Sequence, residues 1–487
     1  MIGAAGEPSG SADGPPRRAY WLLPVAVALL VIPAAPATLV LAGVLACSAA
    51  LSLVRAAAAR RARATAAAPR ADAIVLGSDA GGRAVRLCDR QLSAHGLIVG
   101  ASGAGKSTTL LRILTEQIAR GRPVIAIDLK GSPGFADELA HAAAAAGRPF
   151  RVWTPDGPEH WNPLAHGNAT ELKDKLISSE RFTEPHYQRA AERYVQTVLQ
   201  VLHESRPGQA PTLDEVVELM EPRRLAAALR DLPAARATRV QDYLAAMTPD
   251  QLSAVRGLGT RLAIITESHT GPFLTPGPAR TIDLRAALDG REVVLFSLNS
   301  SVYGRLSAQL GALAIQDLVA ATGDRLARLG RGAAPVPQAI VGIDEFSALG
   351  ADNVLALLAR GRESGVSVLL ATQELADLDR AGHGFRDQVL GVTAVKVIHR
   401  QDVPASAQLV AQMAGTHTVW EHTYQIGRGP LGTHATSRGT RRQVERFVIH
   451  PNQAKTLPTG KAIVITKTPA ARVDVVTVRH RERGVEL

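Results

Sequence analysis

Gly100-Ala101-Ser102-Gly103-Ala104-Gly105-Lys106-Ser107, followed by Thr108 and Thr109, reads G-x-x-x-x-G-K-S. His95-Gly96-Leu97-Ile98-Val99 before it is a short apolar strand, and Leu110-Leu111-Arg112-Ile113-Leu114 after it opens a helix. Strand, glycine-rich loop and helix are the setting a phosphate-binding loop requires. The glycines let backbone N–H groups wrap a phosphate chain, and the helix N-terminus adds its positive end. Lys106 is placed to reach β- and γ-phosphates, and Ser107 to offer its hydroxyl to Mg²⁺. The nucleotide-binding set is therefore Gly100 through Thr108, with ATP and Mg²⁺ as the expected ligands.

Two further apolar runs end in chemistry. Ala339-Ile340-Val341-Gly342-Ile343 ends in Asp344-Glu345. Asp344 is expected to hold Mg²⁺, usually through water, and Glu345 to act as general base on the attacking water. Ser367 to Thr372 ends in Gln373, placed to sense the γ-phosphate or position the water. Lys106, Glu345 and Gln373 form the expected catalytic group, and together they argue for hydrolysis rather than binding alone. Val124-Ile125-Ala126-Ile127 ends in Asp128, with Lys130 two residues on. Open α/β sheets place ligands at the C-terminal ends of strands, so Asp128 and Lys130 are a further strand-end candidate. Arg360, Arg362 and Arg90 are candidates for an arginine finger acting on a neighbouring subunit. An ordinary solvated helix end is the competing reading for the first two.

The 487 residues suffice for two or three domains. There are 55 Lys and Arg against 44 Asp and Glu, a net charge of +11, which suits an anionic partner, nucleic acid or a membrane surface. The same excess also fits an Arg- and Ala-rich genome. The two cysteines exclude a disulfide framework and a paired-Cys zinc site.

No charged residue occurs from Ala19 to Val54, with Arg17 and Arg18 before the run and Arg55, Arg60, Arg61 and Arg63 after it. The prolines in Ile32-Pro33-Ala34-Ala35-Pro36 divide it. Basic flanks on both sides favour both ends in the cytoplasm, hence a hairpin of two short membrane helices. A single span and a cleaved signal peptide are the other readings. From Thr170 to Ser268 apolar residues recur at helical spacing, as in Ala190, Tyr194, Val198, Val201 and Leu202. The expected organisation is 1–18 disordered, 19–54 membrane hairpin, 55–71 Ala/Arg linker, 72–168 first nucleotide-binding part, 169–270 all-helical insertion, 271–480 second nucleotide-binding part and 481–487 tail. The fold class is α/β, a RecA-like P-loop ATPase core with a mainly parallel sheet. Arg428, Arg438, Arg441, Arg442 and Arg446, interleaved with Gly, Ser and Thr, read as a flexible basic loop that touches DNA phosphates without reading sequence. A surface hairpin with charges facing water is the alternative.

The order GASGAGKS, AIDLKG, WNPL, helical stretch, VGIDEFSALG and ARGRESGVSVLLATQELADL resembles the type IV secretion coupling proteins of the FtsK–HerA superfamily of DNA-pumping ATPases. The likeness runs from about Leu92 to Arg479 and includes Lys396-Val397-Ile398-His399-Arg400 and Leu457-Pro458-Thr459-Gly460-Lys461-Ala462. The resemblance implies a homo-oligomer, a hexameric ring on the cytoplasmic face of the inner membrane, and ATP-driven delivery of DNA or a relaxase–DNA complex to the secretion channel subunits. It also implies that the helical insertion recognises the relaxase or other secreted substrates. The short Ala-rich hairpin, with no evident periplasmic domain, departs from that pattern. A protein-secretion ATPase that never touches DNA and an FtsK-like double-strand pump are the alternatives. No winged-helix reader follows Arg446, which weighs against the second.

Overall fold

The computed structural model describes residues 72–478, apart from 181, 183, 278–280, 333–335 and 430–431; side chains of 425–438 are also not described. The expected membrane hairpin, linker and disordered N-terminus lie outside the described residues. Among those described, no helix is long and apolar enough to cross a membrane.

The strands begin with β1 (Ala73–Ser78) and β2 (Ala84–Cys88), then a single helical turn, Asp89–Leu92, and β3 (Gly96–Val99). Next come α1 (Lys106–Ala119), β4 (Val124–Asp128), α2 (Pro133–Ala145), β5 (Phe150–Trp153) and β6 (His160–Trp161). Six helices follow: α3 (Ala169–Ser178), α4 (Pro185–Ser205), α5 (Leu213–Leu219), α6 (Pro222–Ala228), α7 (Ala234–Ala245) and α8 (Pro249–Thr266). Then come β7 (Thr281–Ile282), α9 (Leu284–Asp289), β8 (Val293–Ser297), α10 (Ser300–Gly330), β9 (Ala339–Asp344), α11 (Ala351–Gly361) and β10 (Val366–Thr372). The chain continues through α12 (Leu375–Ala381), α13 (Phe385–Val392), β11 (Val395–Ile398), α14 (Pro404–Ala414), β12 (Thr416–Gly429) and β13 (Gly432–Phe447). It closes with α15 (Pro451–Lys455), β14 (Lys461–Thr466) and β15 (Arg472–Val478).

Eleven strands form one sheet in the order β2-β1-β15-β14-β11-β3-β10-β9-β4-β8-β5. From β11 to β5 every pairing is parallel, and β11–β14, β14–β15 and β15–β1 are antiparallel. The central parallel strands are short and mostly apolar because helices cover both faces, which removes the alternation of a one-sided sheet. One apolar cluster joins α1 and α2 to one face through Leu110, Ile113, Leu114, Phe135 and Leu139. The other runs from α10 and α11 on the opposite face into α3–α8.

Capping explains several boundaries in the helical stretch. Asn168 accepts N–H bonds from Thr170 and Glu171, and Thr212 and Thr248 cap α5 and α8 through capping boxes. α3 is seated on the core by a buried polar knot. Lys175 Nζ donates to Asp317 on α10 at 2.8 Å and to the Pro163 carbonyl at 2.6 Å, while the Trp161 indole N–H reaches the same aspartate at 2.9 Å. The sequence pattern suggests a helix from Gly304 to Thr322, but α10 is longer. It starts at Ser300 and kinks at Gly304, whose φ of 47° only glycine adopts easily.

Candidate nucleotide-hydrolysing site

β3 delivers the loop Gly100–Gly105 at its C-terminal end, and α1 starts at Lys106. Gly103 and Gly105 have φ of 73° and 112°, in the region that favours glycine. The loop is pinned from two sides. Gly100 N–H donates to Thr372 O of β10 at 3.2 Å, and Ala101 N–H to Arg400 O past β11 at 3.0 Å. A side chain on Gly100 would lie 2.7 Å from the His399 Cβ.

The register sets the carboxylates side by side. Asp128 on β4 pairs with Asp344 on β9, and Asp344 pairs with Ala371 on β10, one residue before the strand's last residue. All three strands therefore end at the same edge of the sheet as the strand that delivers the phosphate loop. Lys106 Nζ donates to Asp344 Oδ1 and, at 3.1 Å, to Glu345 Oε1; Ser107 Oγ lies 2.9 Å from Asp344 Oδ2. Glu345 Oε1 also accepts from Gln373 Nε2 at 3.0 Å and from Lys130 Nζ at 2.7 Å. Burial opposes ionisation of Glu345, but Lys106, Lys130 and Gln373 outweigh it and hold its carboxyl below the usual range. The pKa of Asp128 moves the other way, raised by burial and by Asp344 beside it.

Two backbone features aim these groups. Glu345 sits at φ 59°, ψ 38°, a left-handed conformation costing a non-glycine residue about 1–3 kcal/mol, which the hydrogen bonds to its carboxylate offset. Asp128 accepts the N–H groups of Lys130 (2.9 Å) and Ser132 (2.8 Å), folding the chain so that Lys130 turns onto Glu345. Gly131 has φ 68°, and a Cβ there would meet Asn299 at 2.7 Å.

Sequence reasoning gave no role to His399 or Gly460, and both touch the loop. The His399 ring is wholly buried. Nδ1 lies 2.9 Å from the Lys461 carbonyl and so donates, leaving Nε2 to accept from Thr109 Oγ1 at 2.8 Å. Burial pushes its pKa down to about 4. Gly460 N–H donates to Ala104 O at 3.0 Å.

The candidate arginine fingers are elsewhere. Arg90 precedes β3 and Arg360 and Arg362 precede β10, so all three flank the N-terminal ends of strands whose C-terminal ends carry the site. All are exposed. None of them belongs to the constellation around Lys106 of its own chain.

The basic stretch is not a flexible loop but the surface hairpin of the alternative reading, an antiparallel ribbon of β12 paired with β13 over nearly its whole length. Arg442 and Arg446 both bind Glu421, Arg441 lies over Trp420, and the side chains of Arg428 and Arg438 are outside the described residues.

Residues 339–459 match a family model described as the TraM recognition site of TraD and TraG, and residues 74–146 one described as helicase HerA-like, C-terminal. The chain resembles the type IV secretion coupling proteins of the FtsK–HerA superfamily. Among solved structures it is similar to the unbound bacterial conjugative coupling protein TrwBΔN70, at 16% identity and TM-score 0.61 over 86% of this chain and 91% of that one. TrwB in complex with the ATP analogue ADPNP follows at 15% identity and TM-score 0.57 over 86% and 92%. VirB4 of Thermoanaerobacter pseudethanolicus matches at 13% identity and TM-score 0.54 over 85% and 98%. At these identities the likeness is one of fold. No curated protein matches the chain.

Proposed function

We propose that this coupling-protein-like chain is an ATP-hydrolysing motor that couples DNA, or a relaxase–DNA complex, to a type IV secretion channel and drives its translocation. The observation that carries the reading is the convergence of Lys106, Ser107, Asp344, Glu345, Lys130 and Gln373 at the ends of three adjacent parallel strands. Ser107 and Asp344 offer two hard oxygen donors 2.9 Å apart, a set suited to Mg²⁺ that completes its shell with water and phosphate. When bound, that ion neutralises charge on the transferring phosphoryl group. Lys106 exchanges its carboxylate partners for β- and γ-phosphate oxygens. Glu345, ionised despite partial burial, takes a proton from the attacking water. Gln373 orients that water through the same carboxylate.

Arg90, Arg360 or Arg362 would reach a site only across a subunit boundary, which agrees with a ring, hexameric in this reading. The inner-membrane anchor falls on 19–54, with the ATPase part in the cytoplasm. DNA contact is sequence-independent and draws on Arg428, Arg438, Arg441, Arg442 and Arg446. The insertion 169–270 serves cargo recognition. It frames, with α10 and α11, an open cleft of about 1510 Å³ lined by Glu180, Arg261, Gln309 and Arg360 among others.

Phosphate release by the full chain in detergent, with and without DNA, tests the reading. Stimulation by DNA and its loss in Lys106→Ala are expected. Hydrolysis indifferent to single- and double-stranded DNA but raised by a secreted polypeptide would favour the protein-secretion alternative and refute this one.

A further inference from the structure

The β12–β13 ribbon carries two unlike faces. Side chains alternate along a strand, so Trp420, His422 and Tyr424 share one face of β12. Across from them the register places Gln443, Arg441 and Gly439. Arg441 stacks over the Trp420 ring with its guanidinium carbon 4.0 Å from the centroid, and the His422 and Tyr424 rings lie nearly parallel, 15° apart. Trp420 and Tyr424 are nonetheless 49% and 58% exposed, and Gly439 opposite Tyr424 offers no side chain to cover it. On the other face Glu421 binds Arg442 and Arg446, so much of the charge there is internally matched.

Three aromatic rings in a row on a solvent-facing ribbon are unusual without a partner, because exposed aromatic clusters mark interaction sites. The charge identifies the partner. Residues 416–447 hold five arginines against two glutamates, so an anionic ligand with flat apolar groups is the complementary chemistry. Same-face positions recur every two residues, about 6.6–6.8 Å. That is about twice the 3.4 Å spacing of nucleotides along a duplex strand, so an intact base stack does not match and a stretched strand does. We propose that the Trp420–His422–Tyr424 face is a base-stacking platform for single-stranded nucleic acid. Arg441 both braces the indole and reaches the backbone phosphate. This rests on the DNA-motor reading and adds strandedness to it.

Fluorescence anisotropy of the full chain in detergent, with a labelled oligothymidylate and with a duplex of equal length, tests the proposal. Trp420→Ala and Tyr424→Ala should each weaken oligothymidylate binding roughly 5- to 150-fold, the range base–aromatic stacking spans. Duplex affinity and the salt slope should hold, since no phosphate contact is removed. Trp420→Phe should retain most of the binding. Both residues are exposed, so the variants keep the fold. Unchanged oligothymidylate binding in both alanine variants, with DNA still stimulating hydrolysis, overturns the proposal and leaves the motor reading intact. If the unaltered chain binds neither form and DNA does not stimulate hydrolysis, the motor reading fails and takes the proposal with it. Equal losses for both DNA forms, or a changed oligomeric state in the variants, would assign the face to contact between copies and also overturn it.

Discussion

Lowering the pH from 7.5 to 5 should destabilise this protein through two buried histidines. His95, immediately before β3, accepts the Val368 N–H on Nδ1 (3.1 Å) and donates from Nε2 to the Leu358 carbonyl (2.9 Å). His399 holds the opposite tautomer, donating from Nδ1 to Lys461 and accepting from Thr109 on Nε2. Each neutral ring is fully satisfied, and a second proton on His95 would point at an N–H. Burial pushes both pKa values down to about 4; for His95 the nearby Arg362 adds to the shift.

The unfolded chain therefore binds protons near pH 6.5 that the native chain refuses until about pH 4, so stability falls with pH across that window. Going from 6.5 to 5 costs about 2 kcal/mol per histidine at about 1.36 kcal/mol per pH unit, roughly 4 kcal/mol for the pair. Against a typical stability of about 5–15 kcal/mol this is a large share. Asp128, Glu180 and Glu374, whose carboxyls are raised mainly by burial, act in the opposite sense as they take up protons. The difference between variants isolates the imidazoles. Urea unfolding, followed by the fluorescence of the buried Trp153 and Trp161, should show the midpoint falling from pH 7.5 to 5. His95→Gln and His399→Gln should each remove about half of that fall, the amide replacing one ring contact. A midpoint independent of pH, or an undiminished slope in the double variant, would refute the reasoning. Because His399 ties α1 to β14, nucleotide affinity should weaken over the same window.

Glu345→Gln should slow hydrolysis by about 10²–10⁴-fold while nucleotide binding is kept, since the amide cannot take a proton but still accepts from Lys106 and Lys130. Single-turnover phosphate release beside equilibrium nucleotide binding separates the two effects, and a rate within tenfold of the unaltered chain would remove Glu345 from the base role. Asp317→Ala should destabilise by about 3–5 kcal/mol, because Lys175 keeps a buried charge and the Trp161 N–H loses its acceptor. Thermal unfolding measures this, and pairing Lys175→Met with Asp317→Leu should recover the part due to the unpaired charge, the Trp161 N–H still lacking its acceptor.

The sheet's central strands were legible because burial on both faces leaves uninterrupted apolar runs such as Val124–Ile127 and Ile340–Ile343, each closed by a carboxylate. Their order was not. β3 lies between β11 and β10, so the loop's partner His399 stands 290 residues from Thr109, and no local pattern encodes that contact. Lys130 was visible only as a strand-exit residue; the in-register pairing of Asp128 with Asp344 is what brings it to Glu345. The β12–β13 ribbon was legible only as the alternative to a flexible loop, because both its faces are solvated. Without a buried face there is no apolar alternation to read, and the Arg, Gly, Ser and Thr content looked like a loop.

The ribbon's place in the chain bears on how a nucleotide-driven motor would move it. The segment that carries it starts at His399, bonded to Thr109 of α1, and ends at Gly460 and Lys461, bonded to Ala104 and to His399 itself. Val448 N–H meets Gly415 O at 2.9 Å, closing the ribbon's base onto the end of α14. The segment that carries the ribbon is therefore fastened at one end to α1 through Thr109 and at the other to the phosphate-binding turn through Ala104. Coupling between turn and ribbon needs a contiguous packed path with two arrangements. A side chain has no room at Gly100 beside His399, so little slack separates the turn from the ring. The neutral His399 thus bonds α1 and β14 at once, at the start of the segment that carries the ribbon.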